Sequence, residues 1–214
     1  MGIVPRFMKA VSSFIVEPIW LDPAAFSKPI DLSAMFGNAH PVELEIGIGK
    51  GTFLFDQART RPETNFIGIE YANWFARFAA DRMRRAELKN VRVGRQEAGW
   101  FVRECIGAET IDVLHIYFPD PWPKERQKKR RLVRKEWMPE VLRILKPGGE
   151  IRVVTDHQNY FEEHIRPAIE ASGMTLIGYN RPGSAREGET VGTNFERKYA
   201  REGRPFYPIA ARKL

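Results

Sequence analysis

Residues 111–135 read IDVLHIYFPDPWPKERQKKRRLVRK, and this stretch decides how the chain folds. The apolar run from Ile111 to Phe118 is rich in β-branched and aromatic residues and is stopped by prolines, a pattern typical of a buried parallel strand. Proline lacks the N–H that a sheet requires and favours extended geometry in the residue before it. The strand therefore ends near Phe118 and leaves Asp120 just beyond its carboxyl end, at the edge of an α/β sheet where ligands bind.

Strands and helices alternate along most of the chain. Short apolar runs predict strands, and segments with apolar residues at helical spacing predict the helices between them. The strands are predicted at residues 42–46, 65–70, 91–94, 111–118, 150–155, 174–179 and 205–210. The helices are predicted at residues 52–60, 73–88, 99–106, 133–145 and 157–171. This alternation indicates an α/β fold with a doubly wound, mostly parallel, Rossmann-like sheet.

The composition limits the remaining possibilities. A chain of 214 residues can bury the core of one domain, which we place at residues 41–214 after an irregular, proline-containing arm at residues 1–40. Cys105 is the one cysteine, so an intramolecular disulfide is excluded and a reducing compartment is expected. No stretch has the roughly 20 apolar residues that a membrane span needs, and the N-terminus lacks a signal-peptide pattern. We therefore expect a cytoplasmic protein.

A glycine-rich turn follows the first strand. Gly47, Gly49 and Gly51 lie between this strand and the next helix, where backbone N–H groups can approach a ligand closely. The dinucleotide fingerprint G-x-G-x-x-G would place its third glycine one residue later, so the spacing argues against a nicotinamide cofactor. Glycines alone also occur in ordinary tight turns, so this turn needs a second indication of ligand binding.

Acidic residues near the ends of three neighbouring strands provide that indication. Glu45 lies beside the glycine turn, Glu70 ends the second strand, and Glu97 follows the third. A carboxylate at the position of Glu70 can accept hydrogen bonds from both hydroxyls of a ribose. Three carboxylates at one sheet edge suit a positively charged cofactor. S-adenosylmethionine, which carries a sulfonium and an ammonium group, is such a cofactor.

Four segments together resemble the bacterial tRNA (guanine-N7-)-methyltransferase family over roughly residues 42–200. They are EIGIGKG at 45–51 together with Glu70, FPDPWPKERQKKRRL at 118–132, Thr155-Asp156, and residues 193–196. The PDPWPK block is much more specific than the glycines. The resemblance implies a class I methyltransferase fold of seven strands with the last antiparallel. It also implies S-adenosylmethionine as donor and a guanine in the variable loop of tRNA as acceptor.

The resemblance also implies roles for individual residues. The cofactor positions match Glu45, Glu70, Glu97 and Asp120, and Asp120 is also the active-site residue. The substrate positions match Lys124, Asp156, Thr193, Asn194, Phe195 and Glu196. The RNA-contacting run matches Arg126, Gln127, Lys128, Lys129, Arg130 and Arg131. Family members often carry histidine where this chain has Gln127 and Lys128, so a role for an imidazole there is not transferred.

The chemistry of the acceptor fits this set of residues. Guanine N7 has an exposed lone pair, so no proton has to be removed and no general base is required. Transfer moves positive charge onto the purine, and a carboxylate near the line of transfer stabilises that charge. We therefore expect an electrostatic role for Asp120, although aspartate is also common in turns such as Pro-Asp-Pro.

Three further features have both a structural and a functional interpretation. Trp122 can stack on a base or anchor its loop in the core. Asp156 can cap the following helix, or it can accept hydrogen bonds from the N1–H and N2–H₂ groups of guanine. Thr193 and Glu196 have the spacing of a capping box, whereas the resemblance favours a substrate-binding role.

Positive charge is concentrated next to the expected active-site turn. Residues 124–135 contain eight Lys or Arg and one Glu, and the whole chain has a formal net charge of +7. Such a run is usually a solvated surface, but its place beside Asp120 favours contact with RNA phosphates. A second basic group at residues 77–95 either extends this surface or is ordinary helix surface.

The residues also permit two alternative functions. An amino methyltransferase acting on adenine N6 or cytosine N4 would carry a proline-aromatic motif after the fourth strand, usually as Asp/Asn-Pro-Pro-aromatic rather than PDPWPK. A catalytically idle RNA-binding domain would not need the intact glycine turn and carboxylates. The four histidines show no metal-ligand spacing, so no metal is expected. The sequence is compatible with a monomer or a homodimer.

Overall fold

A seven-stranded sheet forms the centre of the protein. The structure is a computed structural model that describes residues 10–183 and 185–214. The strands are β1 (Val42–Ile46), β2 (Asn65–Glu70), β3 (Val91–Arg95), β4 (Ile111–Tyr117), β5 (Leu145–Thr155), β6 (Thr175–Ile177) and β7 (Tyr207–Arg212). They are ordered β3-β2-β1-β4-β5-β7-β6. β1 to β5 run parallel and β7 is antiparallel to both of its neighbours, which confirms the predicted fold class.

Helices flank this sheet. They are α1 (Leu32–Phe36), α2 (Thr52–Thr60), α3 (Asn73–Arg85), α4 (Ala98–Cys105), α5 (Met138–Ile144), α6 (Gln158–Tyr160), α7 (Arg166–Glu170) and α8 (Asn194–Arg201). Short 3₁₀ turns occupy Val11–Ser13, Pro23–Ala25, Glu125–Arg130 and Lys135–Trp137, and a π-helical turn at Phe161–Ile165 joins α6 to α7. None of the helices in the described ranges is long and apolar enough to span a membrane.

Helix α5 starts later than the sequence pattern predicts. The prediction began this helix at Val133, whereas it begins at Met138 after a 3₁₀ turn. The N–H of Val133 instead donates to the hydroxyl of Tyr160 at 2.9 Å. Pro139 lies in the first turn of α5, which suits a helix start because the first N–H groups of a helix need no partner within it.

Several other boundaries differ from the prediction. β5 begins at Leu145 rather than at residue 150, and residues 146–149 interrupt its regular pairing with β4. Gly148 in this interruption has a φ of +78°, which glycine adopts without steric cost. α3 ends at Arg85 rather than at residue 88, because Glu87 has a left-handed φ of +56°. β6 is shorter than predicted, and β7 lies two residues further along the chain.

The helix predicted at 157–171 is divided into three parts. The π-helical turn Phe161–Ile165 separates α6 from α7, and Pro167 follows it in the first turn of α7. Because proline lacks an N–H and its ring crowds the preceding turn, regular helical hydrogen bonding cannot pass through this position. The arrangement brings Tyr160 and Glu163 against residues 128–133.

Two hydrophobic clusters pack against opposite faces of the sheet. Adjacent residues of a strand point to opposite faces, and Phe66 belongs to one cluster while Ile67 belongs to the other. α2 and α3 contribute to the cluster on the Phe66 side, whereas α4 and α5 contribute to the cluster on the Ile67 side. With both faces covered, the carboxyl ends of the parallel strands are the edge at which a ligand can reach the sheet.

Residues 10–40 pack onto this sheet. Ile19 and Leu21 are each 1% exposed, and Trp20 forms a parallel bridge with Val93 on the outer side of β3. Residues 1–9 of the predicted arm lie outside the described residues. Residues 10–40 of the arm therefore extend the packed core, although they are irregular apart from short helical turns.

Candidate functional site

The glycine turn between β1 and α2 forms one wall of the site. Gly47, Gly49 and Gly51 have φ values of +80°, +53° and +66°, a region that residues with a Cβ rarely adopt. Nothing lies within 4 Å of the position that a Cβ would take at Gly47. At Gly47 the turn therefore offers its backbone to a ligand without an intervening side chain, whereas a Cβ at Gly51 would meet Ala79 at 2.9 Å.

Glu70 braces this turn from the end of β2. One carboxylate oxygen, Oε2, accepts a hydrogen bond from the N–H of Gly49 at 2.9 Å. The other, Oε1, accepts one from the N–H of Ala72 at 2.8 Å. An ionised carboxylate offers about four acceptor sites, so these two bonds fix the side chain and leave capacity for a ligand hydroxyl.

Glu45 is a buried carboxylate with an unsatisfied oxygen. It is 3% exposed, the backbone N–H of Leu54 donates to it, and its Oε2 has no hydrogen-bond partner in the described part of the chain. Burial, and after it the negative charge of Glu70, raises the pKa of Glu45 to about 8. The side chain lines a cavity of about 270 Å³ beside the glycine turn. Because buried polar atoms are normally hydrogen-bonded, the free oxygen is a candidate contact for a ligand.

We expect Glu45→Gln to remove a pH dependence from the stability of the ligand-free protein. The pKa of Glu45 is raised on folding, so the folded protein keeps a proton that the unfolded chain releases. The parent's free energy of unfolding should therefore fall by on the order of 1 kcal/mol per pH unit from pH 4.5 to about 8, relative to the variant. Urea denaturation of both proteins across this range measures the difference. Equal slopes would contradict the raised pKa.

Glu97 caps α4 at a second cavity, which has a volume of about 430 Å³. Its carboxylate accepts hydrogen bonds from the N–H groups of Gly99 at 2.9 Å and Trp100 at 2.6 Å. Capping satisfies N–H groups that have no partner within the helix. It also holds Glu97 at the rim of the cavity, where the prediction placed a cofactor-binding residue.

Asp120 is exposed within a turn of unusual backbone geometry. Phe118 and Trp122 lie on either side of it with φ values of +52° and +40°, which are uncommon for residues with side chains. Backbone outliers of this kind cluster at functional sites. Trp122 is half-buried and lines the second cavity, and the guanidinium of Arg130 lies 5.0 Å from the centre of its ring. Trp122 therefore belongs to the wall of the cavity and not to the core.

The two cavities adjoin each other. Residues that line both are Gly47, Gly49, Phe75, Tyr117, Phe118 and Phe195. Phe195 is 45% exposed and stands at the boundary between them. The acidic residues that the sequence pattern placed at the sheet edge, Glu45, Glu70, Glu97 and Asp120, therefore line one joint region.

The segment 193–196 approaches this region from α8. Thr193 is the N-cap of α8, and its Oγ1 accepts a hydrogen bond from the N–H of Glu196 at 3.0 Å. Asn194 donates from Nδ2 to the Oγ1 of Thr52 at 2.9 Å, which ties α8 to the start of α2. Thr193, Asn194 and Phe195 all line the first cavity.

Glu196 lies apart from the cavities, contrary to its predicted substrate-binding role. It is 1% exposed and lines neither cavity. Its carboxylate accepts hydrogen bonds from the backbone N–H groups of Thr190, Val191 and Gly192. A buried carboxylate that three N–H groups surround supports the loop before α8 and does not face a substrate.

Asp156 follows β5 but does not cap the next helix, so the capping interpretation is wrong. The N-cap of α6 is His157, whose Nδ1 accepts a hydrogen bond from the N–H of Tyr160 at 3.2 Å. Asp156 instead accepts a hydrogen bond from Arg204 at 2.7 Å. Lys124, which was also predicted to bind the substrate, is exposed. Neither Asp156 nor Lys124 lines the two cavities.

The predicted RNA-contacting run is only partly exposed. Its exposed basic residues are Arg126, Lys129 and Arg130. Lys128 is held between two carboxylates, with its ammonium 2.9 Å from Glu125 and 3.2 Å from Glu163. Gln127 is half-buried. A phosphate that approached Lys128 would have to compete with Glu125 and Glu163 for its charge.

Arg131 is enclosed, contrary to its predicted contact with RNA. It is 2% exposed, and its Nε–H donates to the carbonyl oxygen of Pro121 at 2.7 Å. The guanidinium lies 4.8 Å from the centre of the Tyr160 ring and 3.6 Å from Glu163. A side chain buried in this way has no surface for a phosphate.

A buried polar network beneath the cavities was not predicted. His115 lies 2.9 Å from Glu43 through Nε2 and 2.8 Å from the Tyr117 hydroxyl through Nδ1. Burial lowers the pKa of His115, so the ring is neutral, donates from Nε2 and accepts at Nδ1. The polar residues Glu43 and His115 inside two buried strands are the signal in the sequence. In residues 10–183 and 185–214, no group of three or more His, Cys, Asp or Glu could hold a metal ion.

Comparisons with known proteins find relatives that match most of the chain. A family model described as a putative methyltransferase matches residues 39–209. A protein of Geobacter metallireducens named tRNA (guanine-N(7)-)-methyltransferase is 36% identical over 201 residues, which cover 93% of this chain and 94% of that protein. A protein of the same name from Enterococcus faecalis is 35% identical over 179 residues, which cover 83% of this chain and 82% of that protein.

Solved structures agree with the fold. The 30S ribosomal A1408 methyltransferase from an uncultured bacterium superposes with a TM-score of 0.56 at 17% identity, over 91% of this chain and 95% of that one. The 16S rRNA methyltransferase KamB superposes with a TM-score of 0.59 at 15% identity, over 88% of this chain and 93% of that one. At these identities, the likeness concerns the fold alone.

Proposed function

Because the chain belongs to the tRNA (guanine-N7-)-methyltransferase family, we propose that it transfers a methyl group from S-adenosylmethionine to N7 of a guanine in the variable loop of tRNA. The observation that carries the proposal is the arrangement of four carboxylates and a glycine turn around two adjoining cavities. A run with three exposed basic residues follows the turn that carries Asp120. A cationic donor and a polyanionic acceptor therefore have complementary surfaces on the same edge of the sheet.

The residues around the cavities fit S-adenosylmethionine. When bound, this molecule supplies a methyl group on a positively charged sulfonium. Glu70 is placed to accept hydrogen bonds from ribose hydroxyls, and Glu97 to accept them from the adenosine. Glu45 contributes the unsatisfied buried oxygen and, once ionised, a negative charge beside a cation.

We expect Glu70→Gln to weaken S-adenosylmethionine binding about tenfold, a loss of about 1.5 kcal/mol. Glutamine keeps one oxygen that can accept a hydrogen bond from the glycine turn but loses the charge that strengthens bonds to hydroxyl groups. Titration calorimetry with the donor measures the change. Glu63→Gln, an exposed change near the opposite end of β2, is the matched control. Equal donor affinity in both variants would remove Glu70 from the cofactor site.

Asp120 is the catalytic residue that we propose. Guanine N7 attacks with its own lone pair, so the site needs a group that stabilises positive charge and not a general base. A carboxylate at the rim of the second cavity meets this requirement, because electrostatic stabilisation is strongest where the group is already fixed in place. The turn at residues 119–123 determines where Asp120 lies, which makes the rigidity of this turn part of the mechanism.

The acceptor guanine is proposed to bind beside α8. The exposed ring of Phe195 offers a face on which an unstacked base can stack. Asn194 and Thr193 add polar groups at the wall of the first cavity. Asp156 can accept hydrogen bonds from N1–H and N2–H₂ of guanine with the acceptor capacity that Arg204 leaves free. Lys124 begins the basic run of residues 124–135, which we call the basic arm, and can contact a flanking phosphate.

The exposed part of the basic arm is proposed to bind the tRNA backbone. Arg126, Lys129 and Arg130 have no carboxylate partner among the described residues. Arginine and lysine contacts to phosphates position a protein on nucleic acid without reading its sequence. The arm therefore accounts for binding of tRNA, whereas the residues at the cavities account for the choice of a guanine.

Analysis of the modified nucleoside tests this function. The protein is incubated with an unmodified tRNA transcript and methyl-labelled S-adenosylmethionine, and the RNA is digested to nucleosides. We expect the label in 7-methylguanosine, and none when the variable-loop guanines are replaced by adenine. Label in N6-methyladenosine or N4-methylcytidine would indicate an amino methyltransferase. Binding of tRNA without any transfer would indicate an idle RNA-binding domain.

A further inference from the structure

The turn that carries Asp120 has few hydrogen bonds of its own. Residues 119, 121 and 123 are prolines and have no N–H to donate. In the described part of the chain, the bond from Arg131 Nε to the carbonyl of Pro121 is the one hydrogen bond made to residues 119–123. The left-handed φ values of Phe118 and Trp122 require support from outside the turn, since such conformations persist only where surrounding contacts enforce them.

Arg131 is anchored firmly enough to give that support. Its guanidinium packs over the ring of Tyr160, and the hydroxyl of Tyr160 accepts the N–H of Val133 at 2.9 Å. The residues after Arg131 are thereby tied to the junction of α6 with the π-helical turn. Arg131 thus connects a fixed part of the fold to the turn that carries Asp120.

The burial of Arg131 is costly. Its Nη1 has no hydrogen-bond partner within the described residues and lies 3.6 Å from Glu163. A buried charge without full pairing is disfavoured, and an apolar side chain of similar volume is often at least as stable in such a place. The hydrogen bond to Pro121 is a contact that an apolar side chain could not make. The free-energy cost of burying Arg131 therefore indicates that its contact with Pro121 serves the reaction and not the stability of the fold.

We propose that Arg131 is a positioning residue for methyl transfer, which holds residues 119–123 so that Asp120 faces the cavity. The inference rests on the proposed function of Asp120. Residues of one basic run then have two different roles. The exposed residues before Arg131 bind RNA, whereas Arg131 orders the reaction site. Arg131 should therefore affect turnover, and Arg126, which is exposed and lines neither cavity, should affect mainly tRNA affinity.

Two substitutions of Arg131 test the proposal. Arg131→Lys keeps the charge without the planar guanidinium, and Arg131→Met keeps an apolar stem that fills the space. We expect each variant to lower kcat by roughly 10- to 100-fold, the cost of a small misplacement at a reaction centre. The KM for tRNA, the salt dependence of tRNA binding and the affinity for S-adenosylmethionine should stay close to the parental values. Arg126→Gln, at an exposed residue that lines neither cavity, is the matched control and should raise KM more than it lowers kcat.

The measurements distinguish failure of the positioning role of Arg131 from failure of the proposed function. A folded Arg131→Met protein with parental kcat would overturn the proposal, as would a variant that loses tRNA affinity and salt dependence while its kcat is retained. Circular dichroism establishes whether the variants fold, and if neither folds, Arg131 is a residue of the core and the positioning role is rejected. A parent protein that makes no 7-methylguanosine would instead contradict the proposed function.

Discussion

Asp120→Asn is expected to lower kcat for methyl transfer by a factor on the order of 10²–10³, the usual cost of removing one group that stabilises charge in a transition state. Asparagine has nearly the shape of aspartate, so the turn between Phe118 and Trp122 should keep its conformation. The loss should then arise from charge, because the amide cannot stabilise the positive charge that moves onto the purine. Single-turnover measurement of methyl transfer to tRNA, at saturating donor, isolates this step.

Two further measurements define the origin of the effect. Affinity for S-adenosylmethionine and for tRNA should change little, since other carboxylates and the basic arm remain. Asp22→Asn is the control, because it makes the same chemical change at an exposed capping residue far along the chain from the turn. A parental rate for Asp120→Asn would reject the electrostatic role. A loss of donor affinity with an unchanged rate of transfer would reassign Asp120 to cofactor binding.

Replacing the three exposed basic residues of the arm by alanine is expected to weaken tRNA binding strongly at low salt. Each phosphate contact contributes roughly 0.7–0.9 to the slope of log affinity against log salt concentration, because counterions are released on binding. The variant Arg126→Ala, Lys129→Ala, Arg130→Ala should therefore reduce the magnitude of the slope by about 2–3 if all three make contacts. Binding of S-adenosylmethionine should be unaffected by Arg126→Ala and Lys129→Ala, which lie outside both cavities, whereas Arg130 also lines the second cavity.

The control for this variant removes the same charge elsewhere. Lys28, Arg59 and Arg103 are exposed basic residues outside the basic arm and outside the second basic group at residues 77–95. Their combined replacement should lower affinity slightly through long-range attraction and leave the slope close to that of the parent. Affinities are measured over a salt series for the three proteins. Parallel lines for the parent and the arm variant would show that the arm is a solvated surface without phosphate contacts.

The sheet could be predicted because the sequence patterns that mark its strands are local. β1 and β2 match their predicted bounds, since apolar runs are flanked there by turn residues, and the prolines after residue 118 stop β4. Glycines and carboxylates at the strand ends were sufficient to locate the cavity edge, because parallel strands place their carboxyl ends together. Local pattern thus accounts for the fold and for the place of Glu45, Glu70 and Asp120.

The contacts of Arg131 and Asp156 depend on partners that are distant in sequence, and those of Glu196 depend on the path of the loop before α8, so none of them was predictable from a local pattern. A charged side chain inside a basic run has the pattern of a solvated surface, and the ring of Tyr160 that covers Arg131 lies 29 positions further along the sequence. Asp156 pairs with an arginine 48 residues away, so its neighbours in sequence do not identify its partner. Glu196 has the expected spacing of a capping box, but its carboxylate turns to the loop before the helix.

The proton on Glu45 allows the first cavity to take up a cation without a change in its net charge. With a pKa of about 8, this carboxyl group is mostly neutral near pH 7, so the empty interior holds no uncompensated charge at this point. A cation that enters can displace the proton, and the charge of the interior then stays the same. A neutral molecule of equal shape cannot make this exchange, because it would leave the carboxyl group protonated. Binding of a positively charged ligand near pH 7 should therefore release a proton, whereas binding of a neutral ligand should not.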